Sequence, residues 1–230
     1  MIGIMGGTFD PIHFGHLRPA LEVCERLSLT QVRFVPCWAP PHRGKPMATA
    51  EDRLRMVDLA VINTPEFYLD DRELRRGGRA SYSVDTLKSL LKEFDEPLVL
   101  MLGMDAFLNF NAWRSSGDIL KMAHIVVSYR PGYKIPKLEP WAKGRVVKSA
   151  KELKEHRAGK IIFLEVTQLA ISATDIRRQL LDGLSARYLM PIDVADYIHQ
   201  NQLYYNDNTQ SQDYEMVDII DPDCRVVLSG

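Results

Sequence analysis

Two histidines three residues apart, His13 and His16, follow directly on Gly6-Gly7-Thr8-Phe9-Asp10 near the start of this 230-residue chain. Met1–Met5 ahead of them is a short apolar run that reads as a strand, and Leu17, Ala20, Leu21, Cys24 and Leu27 behind them repeat at helical spacing. A strand that empties through a small-residue turn into a helix points backbone N–H groups at an anion. Histidines at that helix mouth add positive or hydrogen-bonding groups where a phosphate would sit. The chemistry indicated is phosphate chemistry on a nucleotide. A glycine pair alone marks any tight turn, and His-x-x-His alone is half a zinc site. No cysteine or carboxylate cluster nearby completes a tetrahedral set, so zinc is set aside.

A second polar string lies far downstream, at Ile171-Ser172-Ala173-Thr174-Asp175-Ile176-Arg177. Ser172 is a good helix N-cap, and Asp175 three residues later completes a capping box. By itself that predicts an ordinary helix start. Thr174 and Arg177 are also three apart, on a face distinct from the Ile176/Leu180 stripe, so hydroxyl, guanidinium and cap amides can converge on phosphate.

The first string, Gly-Gly-Thr-Phe-Asp-Pro-Ile-His13-Phe-Gly-His16, resembles the (H/T)xGH signature of the nucleotidyltransferase superfamily. In its fuller form it is similar to that of bacterial nicotinate-nucleotide adenylyltransferases. The second resembles that family's ISxTxIR element. The likeness runs from Met1 to about Tyr205 and includes Pro40-Pro41-His42-Arg43, Ser81-Tyr82-Ser83-Val84-Asp85-Thr86-Leu87, Leu102-Gly103-Met104-Asp105 with Trp113, and Arg130-Pro131-Gly132. It implies transfer of AMP from ATP to nicotinate mononucleotide, with Mg²⁺ accompanying ATP, and a doubly wound, Rossmann-like α/β fold. Such a reaction needs no serine or cysteine nucleophile, because the acceptor phosphate itself attacks; the protein aligns charged groups and stabilises charge.

On this reading His13, His16 and Arg177 are the catalytic candidates, the histidines stabilising the transferring phosphate rather than abstracting a proton. Gly6, Gly7, Thr8, Phe9, Gly103, Asp105, Ile171, Ser172 and Thr174 would hold ATP, Gly6 and Gly7 by letting the backbone approach without a Cβ. His42, Arg43, Tyr82, Ser83, Trp113 and Arg130 would hold the acceptor. Each of these keeps a plainer alternative. His42-Arg43 can be a solvated surface pair, Trp113 a half-buried core tryptophan, Asp105 a helix cap instead of a ribose ligand, and Arg130 a strand end in solvent. Ser83 can cap the helix holding Val84 and Leu87, whose N-terminal amides would favour a carboxylate over a carboxamide. The family's Ser-Tyr-Thr is Ser-Tyr-Ser here, so the hydroxyl survives. The same chemistry on nicotinamide mononucleotide or another phosphorylated acceptor, and a non-catalytic nucleotide sensor, are the rival readings.

These residues need a parallel α/β frame. Ile2–Met5, Val32–Pro36, Leu98–Leu102, Ile125–Tyr129 and Ile161–Glu165 are nearly unbroken apolar runs, as strands covered on both faces must be, and Phe67–Leu69 is a shorter candidate. Amphipathic segments alternate with them: one from Leu17, where Pro19 fits in the first turn; one carried by Leu54, Val57, Leu59 and Val61–Ile62; one by Val84, Leu87, Leu90 and Leu91; and one by Ile176, Leu180, Leu181 and Leu184. Gly132–His156 reads as an irregular excursion and Arg72, Arg75, Arg76 and Arg79 as a solvated face. The expected layout is one nucleotidyltransferase domain over 1–205 and an acidic extension over 206–230.

Hydrophobic residues make up 46% and charged residues 26% of the chain, within the range of an ordinary globular domain. Net charge is −1, which gives no bulk signal for nucleic acid. Six acids fall in 206–230 against Arg225, so the rest is mildly positive, which suits small anionic substrates. No apolar run reaches the ~20 residues of a membrane helix. Three scattered cysteines, Cys24, Cys37 and Cys224, suggest neither a disulfide framework nor a metal site, so a cytoplasmic location is expected.

Overall fold

The computed structural model describes residues 1–39, 44–77 and 80–205. Seven parallel strands form one sheet in the order β3-β2-β1-β4-β5-β7-β6. The strands are β1 (Ile2–Gly7), β2 (Gln31–Pro36), β3 (Phe67–Leu69), β4 (Leu98–Gly103), β5 (Ala123–Tyr129), β6 (Val146–Val147) and β7 (Ile161–Glu165). The chain winds outward from β1 in one direction to β3, then returns to β4 beside β1 and winds the other way. That reversal makes β1/β4 the switch point, and open α/β sheets bind ligands beyond the carboxyl ends of the strands there. The expected doubly wound architecture is what the chain adopts.

Each face of the sheet carries its own core. Leu17, Ala20, Val23, Met56, Val57, Ile176, Leu180, Val194 and Ile198 cover one face, from helices α1 (Phe14–Leu27), α2 (Ala50–Val61), α9 (Ala173–Leu181) and α10 (Ile192–Gln200), joined by Ile12 from the turn before α1. Val84, Leu87, Leu90, Phe107, Ile119 and Ala142 cover the other, from α4 (Ser83–Leu90), α5 (Met104–Leu108), α6 (Ser116–Met122) and α7 (Pro140–Lys143). The short helices α3 (Arg72–Arg76) and α8 (Ala150–Lys154) complete the set.

Several expectations need correcting. α1 begins at Phe14, so Pro19 is its sixth residue and lies beyond the first turn. The buried side of α2 is Arg53, Met56, Val57 and Val61, while Ile62 is 68% exposed. The excursion after Gly132 contains α7, β6 and α8, elements too short to show a period. Arg72 is buried, not solvated: its guanidinium meets Asp70 at 2.7 and 2.8 Å, Glu93 at 2.8 Å and Ser89 at 2.9 Å. Burial pushes the Asp70 carboxyl up, but the hydrogen bonds and charge of Arg72 and a hydrogen bond from Arg33 outweigh it and hold the group below its usual range. The extension 206–230 and the pair His42-Arg43, with Arg79, lie outside the described residues.

Candidate active site

β1 ends in two glycines whose roles differ. A Cβ on Gly6 would meet no atom within 4 Å, so that residue opens onto space a ligand can enter. A Cβ on Gly7 would come within 2.9 Å of the Phe9 ring, so Gly7 serves packing, not ligand approach. Phe9 itself sits at φ 48° with its ring buried against Phe34 and edge-on to His16, ring centroids 5.2 Å apart. A bulky residue held in the left-handed region costs about 1–3 kcal/mol and survives only when its surroundings over-determine it. Here they do, through Asp10 and Arg177.

Asp10 is buried, and its carboxylate accepts from the amides of Met47 (2.9 Å) and Ala48 (3.1 Å) and from the Tyr204 hydroxyl (2.7 Å). Burial and this carboxylate raise the Tyr204 phenol, which stays protonated as the donor. The Asp10 carbonyl accepts from Arg177 Nη1 at 2.6 Å, and the carboxylate lies 3.8 Å from the same nitrogen. Arg177 Nη2 reaches the Thr174 hydroxyl at 3.4 Å. The two motifs, more than 150 residues apart in sequence, thus form one mouth. A second contact fixes the join: a Cβ on Gly15 would sit 2.8 Å from His13 Nδ1 and 3.1 Å from the Ile171 carbonyl. Only glycine lets α1 start this close to the loop that leads into α9.

His13 is the extended N-cap residue of α1, buried and stacked on His16 with ring centroids 3.8 Å apart. Its Nδ1 is buried and has no hydrogen-bond partner among the described residues. Loss of hydration pushes its pKa down to about 4, so the ring is neutral near pH 7 and can act by hydrogen bonding, not as a fixed cation. The His13 amide donates to His16 Nδ1 at 3.3 Å, which leaves the proton of a neutral His16 on Nε2. Ser172 caps α9 as expected, its hydroxyl accepting from the Asp175 amide at 3.1 Å and donating to the Asp175 carboxylate at 2.7 Å. That hydroxyl is committed to capping, so Ser172 offers a ligand the amides of the helix start. Thr8 is held through its carbonyl by Arg53 at 2.8 Å.

Beyond β4 the surface opens into a cavity of about 560 Å³ lined by Ser81, Tyr82, Ser83, Asp105, Asn109, Trp113 and Arg114, among others. Tyr82 and not Ser83 is the N-cap of α4, no side chain caps that helix, and its start, Tyr82-Ser83, lines the cavity. Trp113 packs on Phe110, ring centroids 5.6 Å apart, as its core reading has it, and also lines the cavity. Asp105, expected with ATP, lines this cavity together with Tyr82 and Trp113; it is not a cap, because Gly103 is the N-cap of α5. Gly103 ends β4 with open space where a Cβ would be. Arg130 stands apart from this cavity, exposed past the end of β5 and bonded to Gln168 at 3.1 Å.

Four participants escaped sequence reasoning. Asp10 had a signal, a carboxylate inside the glycine turn. Arg53 had one too, a charge in phase with the apolar stripe of Met56 and Val57. Arg114 lies over the Tyr82 ring at 4.5 Å, and its donors have no acceptor among the described residues. Tyr204 carried no local pattern at all.

The cytidylyltransferase-like family matches residues 4–179. A protein of Methylococcus capsulatus described as a probable nicotinate-nucleotide adenylyltransferase is 51% identical over 209 residues, covering 89% of this chain and 99% of that protein. This chain belongs to the nicotinate-nucleotide adenylyltransferase family. A second relative with the same description, from Hydrogenovibrio crunogenus, is 48% identical over 89% of this chain and 97% of its own. Among solved structures, nicotinic acid mononucleotide adenylyltransferase of Plasmodium falciparum complexed with NaAD is 18% identical, with a TM-score of 0.68 over 88% of this chain and 96% of that one. At that identity the likeness speaks for the fold.

Proposed function

We propose that this protein transfers the adenylyl group of ATP to nicotinate mononucleotide, releasing pyrophosphate and forming nicotinate adenine dinucleotide in NAD biosynthesis. The observation that carries this reading is the bond from Arg177 to the Asp10 carbonyl, which closes two distant motifs into one anion-facing mouth beside a cavity of nucleotide-fragment size. An oxygen of the mononucleotide phosphate attacks the α-phosphorus of ATP. The bond from that phosphorus to the bridging oxygen of the β-phosphate breaks, and pyrophosphate leaves with the electron pair. The nucleophile is already ionised, so the protein needs no base, and the main requirement is fixed donors aimed at developing charge.

In this proposal His13 and His16 donate to the transferring phosphate, and Arg177 with Thr174 and the amides opening α9 receives the β- and γ-phosphates. Gly6 leaves room for the chain of phosphates to lie against the end of β1. No group of three or more His, Cys, Asp or Glu among the described residues is placed to cage a metal, and the Asp10 carboxylate is already occupied. Mg²⁺ therefore fits as an ion carried on ATP phosphate oxygens and water, where it would neutralise charge on the leaving group. On the acceptor side Trp113 offers a face to the pyridine ring, Asp105 an acceptor for ribose hydroxyls, and the α4 amides with Arg114 a positive corner for the nicotinate carboxylate. Arg130 stands apart from this cavity, which leaves the acceptor phosphate to the groups nearer the mouth.

No helix among the described residues is long and apolar enough to cross a membrane. We place the reaction in the cytoplasm, which suits the buried free thiols Cys24 and Cys37. The test is pyrophosphate release from ATP with nicotinate mononucleotide, nicotinamide mononucleotide and phosphopantetheine in parallel. The acid is expected to be turned over far faster than the amide. Equal rates on acid and amide would overturn the acceptor assignment, and no release with any of the three would overturn the enzyme.

A further inference from the structure

Arg53 is 1% exposed, and among the described residues no carboxylate lies within 4.0 Å of its guanidinium. It is held by three backbone carbonyls, with the Cys37 Sγ a further 4.0 Å contact of Nη1. Nη1 donates to Thr8 at 2.8 Å and to Cys37 at 2.7 Å, Nη2 donates to Trp38 at 3.1 Å, and Nε is buried without a partner. A buried, unpaired cation is an expensive way to fill space, and an apolar side chain of similar volume would fill it without that cost. Its geometry supplies something packing would not. The Thr8 carbonyl belongs to the same planar peptide as the Phe9 amide, so gripping one aims the other at the left-handed turn beside Gly6. At the other end, the Trp38 amide donates to the Ser81 hydroxyl at 3.0 Å and the Ser81 amide to the Ala39 carbonyl at 3.1 Å. Ser81 is a wall of the acceptor cavity. One rigid, three-pronged group therefore ties the triphosphate turn to the acceptor wall through a single segment, Cys37–Ala39.

We propose that Arg53 is a positioning residue that sets the distance between the two bound nucleotides, so that the acceptor phosphate meets the α-phosphorus in line. This rests on the adenylyl-transfer reading above and adds to it a group that touches neither substrate. The Cys37 amide also donates to the Gly7 carbonyl at 2.9 Å, so without Arg53 the segment stays beside β1 and each side keeps its own ligand contacts; what would be lost is the fine register of turn against wall. The expected signature is a loss of turnover without a loss of either binary affinity.

The experiment compares Arg53→Met, Arg53→Lys and Ser81→Ala with the wild-type full-length chain. It measures kcat, and it measures Kd for ATP alone and for nicotinate mononucleotide alone by calorimetry. In Arg53→Met, kcat is expected to fall about 10²-fold while each Kd stays within about threefold, the cost of a misplacement on the order of 1 Å. Arg53→Lys, which restores the charge but not the fork, should recover part of that loss. Ser81→Ala removes the hydroxyl half of the far link, leaving the Ser81 amide on the Ala39 carbonyl, and its kcat should fall about tenfold with ATP affinity unchanged. A folded Arg53→Met protein with near-normal kcat overturns the proposal, as does one that loses both affinities in proportion to its turnover. If Arg53→Met does not fold, near-normal kcat in Ser81→Ala overturns it. Wild-type protein inactive on nicotinate mononucleotide would instead remove the underlying reading.

Discussion

The mouth where the two motifs meet and the cavity beyond β4 are built on opposite plans. In the mouth nearly every polar group is already engaged: Asp10 by two amides and a phenol, Arg177 by a carbonyl and a hydroxyl, Ser172 by its own cap, Thr8 by Arg53. The cavity is roomy, and two of its charged side chains, Arg114 and Asp105, have no protein hydrogen-bond partner among the described residues. The difference matches the two tasks. Stabilising charge as it develops demands donors that do not move, and crowding supplies that. Choosing between two pyridine mononucleotides demands groups that gain a partner only when the right one arrives.

The largest expected effect tests the crowded half. His16→Ala removes a donor from the mouth without touching the buried core of α1, and turnover should fall about 10²–10³-fold with melting temperature little changed. Measured kcat near wild type would mean the stacked histidines serve packing only. A smaller effect tests the open half. Arg114→Ala should cut the preference for nicotinate over nicotinamide mononucleotide about tenfold, through kcat/KM for the acid alone. An equal loss on both acceptors would assign Arg114 to the shared phosphate, and the contrast between the halves would blur.

The mildest effect is on stability and pH. Burial lowers the His13 pKa from 6.5 to about 4, so between those values the unfolded chain binds the proton and the folded one does not. Stability from this group is therefore complete above about pH 6.5 and declines as pH falls toward 4. His124, lowered chiefly by burial, acts in the same direction. Thermal melts at pH 7 and pH 5 should show the decline, and His13→Asn should flatten part of it. An unchanged slope in that variant would show that His13 is not desolvated as the stacked geometry requires.

Much of this was legible in residues that state their environment locally. Ile161–Glu165 is apolar on both faces and was read to the residue; Ser172 and Asp175 announced a cap, and the cap is there. What stayed hidden was long-range partnership. Arg72 looked solvated because nothing nearby in sequence marks Ser89 and Glu93 as its partners, and the five-residue helix carrying it is too short to show a period. Val146–Val147 is a strand only because β7 lies alongside. Asp105 lines the same cavity as Tyr82 and Trp113, a grouping its position after a strand end does not foretell, because that position fixes a height on the sheet and not a side of the cleft. Gly7 was read as room for phosphate, whereas the Phe9 ring occupies that space through a left-handed backbone that no spacing rule foretells.

The hydroxyl of Tyr204 on the carboxylate of Asp10 has a consequence for how the protein is made. Synthesis delivers the N-terminal turn first and its last fastener some two hundred residues later. A nascent chain still short of position 204 already carries both motifs, yet the turn between them lacks one of its clasps. A ribosome-stalled fragment ending just before that tyrosine should therefore bind nucleotide more loosely than the 230-residue chain.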